Sequence, residues 1–206
     1  MKNRLVGITG GIGAGKSALA RVFTEAGYPV LSADELAREV VAPGSEVLGE
    51  IVAVFGPSAL AADGSLNRGW VRSAIAGDST LRARLEAITH PRIQALSLAR
   101  AAELFQRGKE LVFYEAPLLF EAGSDRSLSA VICVHAADEV RVDRVTKRDG
   151  RPRGEVEKLL RSQMPQEEKM RRSDYLVLNE GSEADLRARG LEVLAELKAW
   201  DYECTL

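Results

Sequence analysis

The chain has 206 residues, 46% of them hydrophobic and 28% charged, with a formal net charge of −2; that length suits one compact domain, or one core with a small mobile insert, and can bury an ordinary soluble core. No global basic excess points to nucleic acid as a partner, and no apolar stretch is long enough to span a bilayer. Two cysteines, Cys133 and Cys204, lack metal-ligand or disulfide spacing and fit a reducing compartment, and MKNRLVGITGG has no signal-peptide h-region, so a cytoplasmic protein is expected, a monomer or weak homo-oligomer.

Arg4–Ile8 is a short β-prone run that stops at Thr9-Gly10-Gly11. Lys16–Ala26 reads as a helix with Leu19, Val22 and Phe23 at core spacing and Gly27 as its stop. Val30–Leu31 is a short strand candidate. Ser32-Ala33-Asp34 then caps a helix over Glu35–Val41 that Pro43-Gly44 ends. Residues 45–108 are predicted mostly helical, with Pro91 in the first turn of a new helix running towards Phe105. Glu110–Tyr114, Ala130–Val134 and Tyr175–Leu178 are continuous apolar runs, the pattern of strands covered on both faces. Strands separated by helices predict an α/β fold with a doubly wound parallel sheet. Charged helices over 137–147 and 152–172 lie between two strands as a natural mobile cover. From Arg141 to Arg172 there are eleven Lys/Arg and six Asp/Glu, an excess of 11 − 6 = +5, which serves either as a solvated face or to meet a polyanion.

The sharpest signal is Gly10-Gly11-Ile12-Gly13-Ala14-Gly15-Lys16-Ser17, which satisfies G-x-x-x-x-G-K-[ST] between a predicted strand and a predicted helix. Its glycines allow close backbone approach and positive φ. Successive N–H groups then form an anion nest, and the helix N-terminus adds its dipole. Lys16 supplies a point charge for the β/γ oxygens, and Ser17 offers a hydroxyl to Mg²⁺. The motif marks nucleotide phosphate binding without separating kinases from other NTPases. No N-K-x-D base-reading motif of GTPases is present. The run LVFYE at 111–115 is the best candidate for an ATPase-type strand, but the APLLF that follows does not resemble a water-activating site. A small-molecule kinase is favoured.

Asp34 follows the second strand, at the sheet edge where ligands bind in parallel α/β folds. A carboxylate there can take the proton of an attacking hydroxyl or support Mg²⁺; the plainer use is helix capping. Arg144 and Arg148, four apart, share a helix face. That face either closes over ATP phosphates or is simply solvated.

Taken together, ITGGIGAGKS at 8–17, SADELAREVVAPG at 32–44, HP at 90–91, EAPLLFEAG at 115–123, RVDRVTKRDG at 141–150, SQMPQEEKMRRSDY at 162–175 and NEGS at 179–182 resemble the dephospho-CoA kinase family across nearly the whole chain. The resemblance implies ATP-dependent transfer to the ribose 3′-hydroxyl of dephospho-CoA, with Asp34 as base and Arg148 as the lid arginine. It implies a nucleotide-binding core from 1–34, 108–137 and 173–206, a helical CoA-side domain over 35–107 and a lid over 138–172. It places His90 and the Pro117-Leu118-Leu119 backbone at the acceptor, and Asn179 and Gly181 in an adenine loop. Ser32 stands where the family often has a second carboxylate, and Leu178 where an acidic residue is common. Shikimate or nucleoside monophosphate kinases, and an ATP-binding switch, are the alternatives that the residues alone leave open.

Overall fold

β1 (Arg4–Thr9) is buried at every position, as expected for a strand covered on both faces. The structure, a computed structural model, describes residues 3–200; Cys204 lies outside them. After β1 the chain forms α1 (Lys16–Glu25), β2 (Val30–Ser32), α2 (Ala33–Val40), α3 (Glu46–Phe55), α4 (Arg68–Ala76) and α5 (Ser79–Gln106). It continues through β3 (Leu111–Glu115), β4 (Ala130–His135), α6 (Asp138–Asp149), α7 (Arg153–Arg161), α8 (Gln166–Arg171), β5 (Tyr175–Leu178) and α9 (Glu183–Ala199). The five strands form a parallel sheet in the order β2-β3-β1-β4-β5. Val6 is in register with Phe113 on one side and Ala130 on the other. All the expected strands are present, with ends that differ by at most one residue.

Two expectations for the helices are corrected. Pro91 does not open a new helix but lies inside the 28-residue α5. It leaves the Ala87 carbonyl without an N–H, while Leu85 and Ile88 pack the helix onto a cluster of Val41, Val47, Ile51 and Val71. Residues 152–172 do not form one helix: the chain breaks after Arg161 and restarts beyond Pro165 as α8, because proline fits the start of a helix and not its middle.

The chain divides into two compact units, one made of the residues up to Leu31 together with those from Glu103 onward, the other of Ser32–Ala102. In the first unit, α1 and α9 pack against the sheet around Phe23, which stacks on Phe113 with ring centroids 4.1 Å apart. At the far end of α9 the buried Arg4 guanidinium donates to the Leu197 and Trp200 carbonyls, where a cation complements the helix dipole. The segment 138–172 belongs to this unit. Its own small core of Val142, Val145 and Val156 packs against Ile12. The second unit is helical around the cluster already named, with a 3-10 turn at Pro57–Ala59 and an antiparallel bridge between Leu60 and Leu66. Among the described residues no helix is long and apolar enough to cross a membrane.

Candidate active site

The loop from Gly10 to Gly15 joins the carboxyl end of β1 to the amino end of α1. Gly10 takes φ 145°, and a Cβ there would overlap the Val134 carbonyl oxygen of β4. Gly15, the N-cap of α1, is left-handed at φ 103°, ψ 23° and offers no side-chain cap. The first amides of α1 are therefore not used by a capping side chain, the condition for binding an anion at a helix N-terminus.

Side chains from distant parts of the sequence hold this loop from behind. Gln166 Oε1 accepts from Gly11 N at 3.1 Å, and Gln163 Oε1 accepts from Ile12 N at 2.9 Å. The buried Arg141 donates Nε to the Ile12 carbonyl at 3.0 Å and Nη1 to Asp138 at 2.8 Å. The buried Asn179 donates Nδ2 to the Ala14 carbonyl at 2.8 Å. These bonds fix the loop's main chain at Gly11, Ile12 and Ala14. Lys16 Nζ donates to the Gly11 carbonyl at 3.1 Å, inside the same loop. We expect Gly15→Ala to weaken ATP binding about 100-fold. A methyl at this left-handed position costs roughly 1–3 kcal/mol of backbone strain and displaces Asn179 from Ala14, about another 1 kcal/mol. Equilibrium titration with ATP checks it, and an unchanged Kd would show that the loop tolerates the change.

A cavity of about 250 Å³ opens on the other side of the loop, lined by Gly13, Gly15, Lys16, Ser17, Arg144 and Arg148 among others. Arg144 and Arg148 thus face the phosphate loop rather than bulk solvent alone. Arg144 has one buried guanidinium nitrogen, Nη1, with no hydrogen-bond partner among the described residues; its Nη2 lies 3.5 Å from Asn179 Oδ1. Arg148 holds both carboxylate oxygens of Asp149, at 2.7 and 3.0 Å, and that hydrogen bonding keeps the Asp149 carboxyl below its ordinary pKa.

Ser17 Oγ donates to Glu115 Oε1 at 2.7 Å. Among the described residues no group of three or more His, Cys, Asp or Glu could hold a metal. One hydroxyl and one carboxylate beside a phosphate cradle do fit Mg²⁺, which takes one or two protein oxygens and draws the rest from phosphates and water. Cys133 in β4 is buried, and desolvation pushes its thiol pKa up to about 11, so it is an inert core residue.

The sequence profile of the dephospho-CoA kinase family (CoaE) matches residues 4–185. A dephospho-CoA kinase from Syntrophotalea carbinolica is 44% identical over 193 residues, 94% of this chain and 92% of its own. The chain belongs to the dephospho-CoA kinase family. Among solved structures, a protein from Thermus thermophilus matches with a TM-score of 0.81 at 38% identity, covering 96% of this chain and 99% of its own. The dephospho-CoA kinase from Campylobacter jejuni matches with a TM-score of 0.72 at 28% identity, covering 97% and 98%.

The remaining residues expected for the family divide by position. Asp34 is exposed in the first turn of α2, while Ser32 is the N-cap, its Oγ 3.5 Å from Glu35 N. His90 is half-buried in the middle of α5 rather than at a helix start. In the loop after β3, Pro117 and Leu118 are half-buried, but the Leu119 side chain is wholly in the core, which leaves only its main chain for a ligand. Asn179 is committed to Ala14, so its side chain builds the phosphate loop; Gly181 is exposed in the turn before α9. The residues that the motifs alone did not single out are Arg141, Gln163 and Gln166; Glu115 closes the LVFYE run at 111–115, and its pairing with Ser17 is what folding adds. Arg141 and the two glutamines sit inside the family segments at 141–150 and 162–175, but only folding brings them to the loop.

Proposed function

We infer that this protein is an enzyme that transfers the γ-phosphoryl group of ATP to the ribose 3′-hydroxyl of dephospho-CoA, giving ADP and coenzyme A, the last step of coenzyme A synthesis. The single observation that carries this reading is a braced phosphate loop facing two arginines within a chain that matches the dephospho-CoA kinase family over residues 4–185. The loop amides, the amino end of α1 and Lys16 hold the β and γ phosphates. Asp34 accepts the proton of the 3′-hydroxyl as that oxygen bonds to phosphorus and the bond from phosphorus to the bridging β-phosphate oxygen breaks, with ADP leaving. Arg144 and Arg148, from the lid segment 138–172, balance the charge of the transferring group and keep out water, the competing acceptor. His90 and the loop after β3 orient the acceptor. Ser17, supported by Glu115, would hold Mg²⁺, which would supply positive charge to neutralise the phosphates.

The test is coupled ADP release with dephospho-CoA as the only acceptor. ADP formation that depends on dephospho-CoA, with coenzyme A as product, is the expected result. ATP binding without acceptor-dependent ADP release would make the protein a nucleotide-binding module. Phosphorylation of shikimate or a nucleotide in its place would reassign the acceptor.

A further inference from the structure

Lys169 is a charged residue with 0% exposure, and nothing in the proposed chemistry uses it. A lysine is rarely so buried unless its charge is matched. Here the ammonium donates to the Pro117 carbonyl at 2.7 Å and to both carboxylate oxygens of Glu121 at 2.8 and 2.9 Å. Both partners lie in the loop after β3. That loop begins at Glu115, whose carboxylate accepts from Ser17 of the phosphate loop. Only Ala116 separates Glu115 from Pro117, and its amide is already held by the Ile8 carbonyl of β1 at 3.0 Å. With Ala116 fixed on one side and Glu121 on the other, the main chain of Pro117, Leu118 and Leu119 has little slack.

Gln166, three residues before Lys169 and so on the same face of α8, binds the neighbouring loop. Its Oε1 takes Gly11 N, and its Nε2 donates to the Ala136 carbonyl beyond β4 at 3.1 Å. Glu121 Oε1 also accepts from Met164 N at 3.2 Å, just before α8. β1 lies between β3 and β4 in the sheet, so the two side chains span the carboxyl ends of three adjacent strands, where ligands of parallel α/β sheets bind.

We propose that Lys169 and Gln166 are positioning residues that lock the loop after β3 and the phosphate loop into one frame, Gln166 setting the nucleotide side and Lys169 the acceptor side. Neither touches a reacting atom. They act by holding main chain, Gln166 that of the phosphate-binding amides and Lys169 that of Pro117 to Glu121 on the acceptor side, and small displacements of such groups are costly because catalysis depends on pre-set geometry. The division of labour rests on the function proposed above, and it separates this role from a merely structural one: loosening the fold alone would weaken both substrates together.

The test measures ATP affinity at equilibrium without acceptor, kcat/KM for dephospho-CoA, and Tm, for Lys169→Met, for the pair replacement Lys169→Met with Glu121→Met, and for Gln166→Met. The pair replacement removes the charge left unmatched by the single change. The Lys169 variants are expected to bind ATP within about twofold of the parent while kcat/KM for dephospho-CoA falls about tenfold or more, an effect of the size that misplaced supporting groups produce. Gln166→Met is expected to weaken ATP binding about tenfold. A folded Lys169 variant with parental kcat/KM overturns the proposal. So does a parallel fall of both constants in every variant, or failure of both Lys169 variants to fold, either of which makes the network purely structural. If the unmodified protein releases no ADP with dephospho-CoA, the functional reading fails instead, and the ATP affinities of the Gln166 and Lys169 variants still decide whether the two loops are held separately.

Discussion

Asp34→Asn is expected to lower kcat for dephospho-CoA by about 10³-fold while the Kd for ATP stays within about threefold. Asn matches Asp in size and keeps a hydrogen-bonding oxygen, but it cannot take a proton at neutral pH. General-base removal costs typically about 10²–10⁴ in rate, and the loss at Asp34 is not softened, because Ser32 supplies no second carboxylate to replace it. The plainer account, in which Asp34 serves only to cap α2, loses its ground: the cap is Ser32, and Asp34 is exposed one residue into the helix. Its carboxylate is thus free of the duty that would tie it to the backbone. It stands just past the carboxyl end of β2, the position from which a parallel α/β sheet presents catalytic groups. Steady-state ADP release for turnover and direct titration for ATP affinity separate the two quantities. Turnover within tenfold of the parent would take the base role from Asp34. A matching loss of ATP affinity would make it a binding residue.

What could be read from residues alone follows the range over which each feature acts. The phosphate loop is eight consecutive residues, and its chemistry is complete in its spacing. The strands are continuous apolar runs, a local signal again. The errors fall where a long-range term outweighs a local one. Pro91 carries a local penalty of one missing hydrogen bond, and that loses to the packing of Leu85 and Ile88 on one side and the buried Ser97 and Ala101 on the other. At Pro165 no such packing carries a helix across, and the penalty wins. α9 is hard to see in the sequence because Leu186, Val193, Leu194 and Leu197 are set among charged residues; their burial against α1 and the sheet is what makes them a core face.

The site follows the same division. Gln163 and Gln166 bond to residues 151 and 155 positions away, and no spacing rule points across such a gap. Glu115 is instructive in a different way. It ends an apolar strand, where the sequence invites comparison with a hydrolytic ATPase. Its hydrogen bond from Ser17 gives the carboxylate a use that is common to kinase and ATPase, so the comparison could locate the residue but not choose the reaction.

Arg148→Ala is expected to reduce kcat about 10³-fold and to leave Tm within about 2 °C, because surface changes away from packed features scarcely alter stability. The Arg148 side chain is 64% exposed and buries little, so its removal opens no cavity. It lines the cavity at the phosphate loop together with Lys16 and Ser17, and among the described residues its fork is engaged by Asp149. That pair is bidentate, but it lies where water competes for both partners, since the Arg148 side chain is largely exposed. A triphosphate offers the same planar fork several negative oxygens at once, and bidentate guanidinium–phosphate pairs are among the stronger charge-assisted hydrogen bonds. We expect the arginine to pass from Asp149 to the nucleotide as charge moves through the transferring group, and its effect on rate to arise there. Arg148→Lys should recover only part of the loss, since an ammonium keeps the charge without the fork. Single-turnover phosphoryl transfer with saturating ATP isolates the chemical step from binding. Parental rates in Arg148→Ala would return this residue to a solvated basic face and leave Arg144, with its buried unpartnered nitrogen, as the group that meets the phosphates.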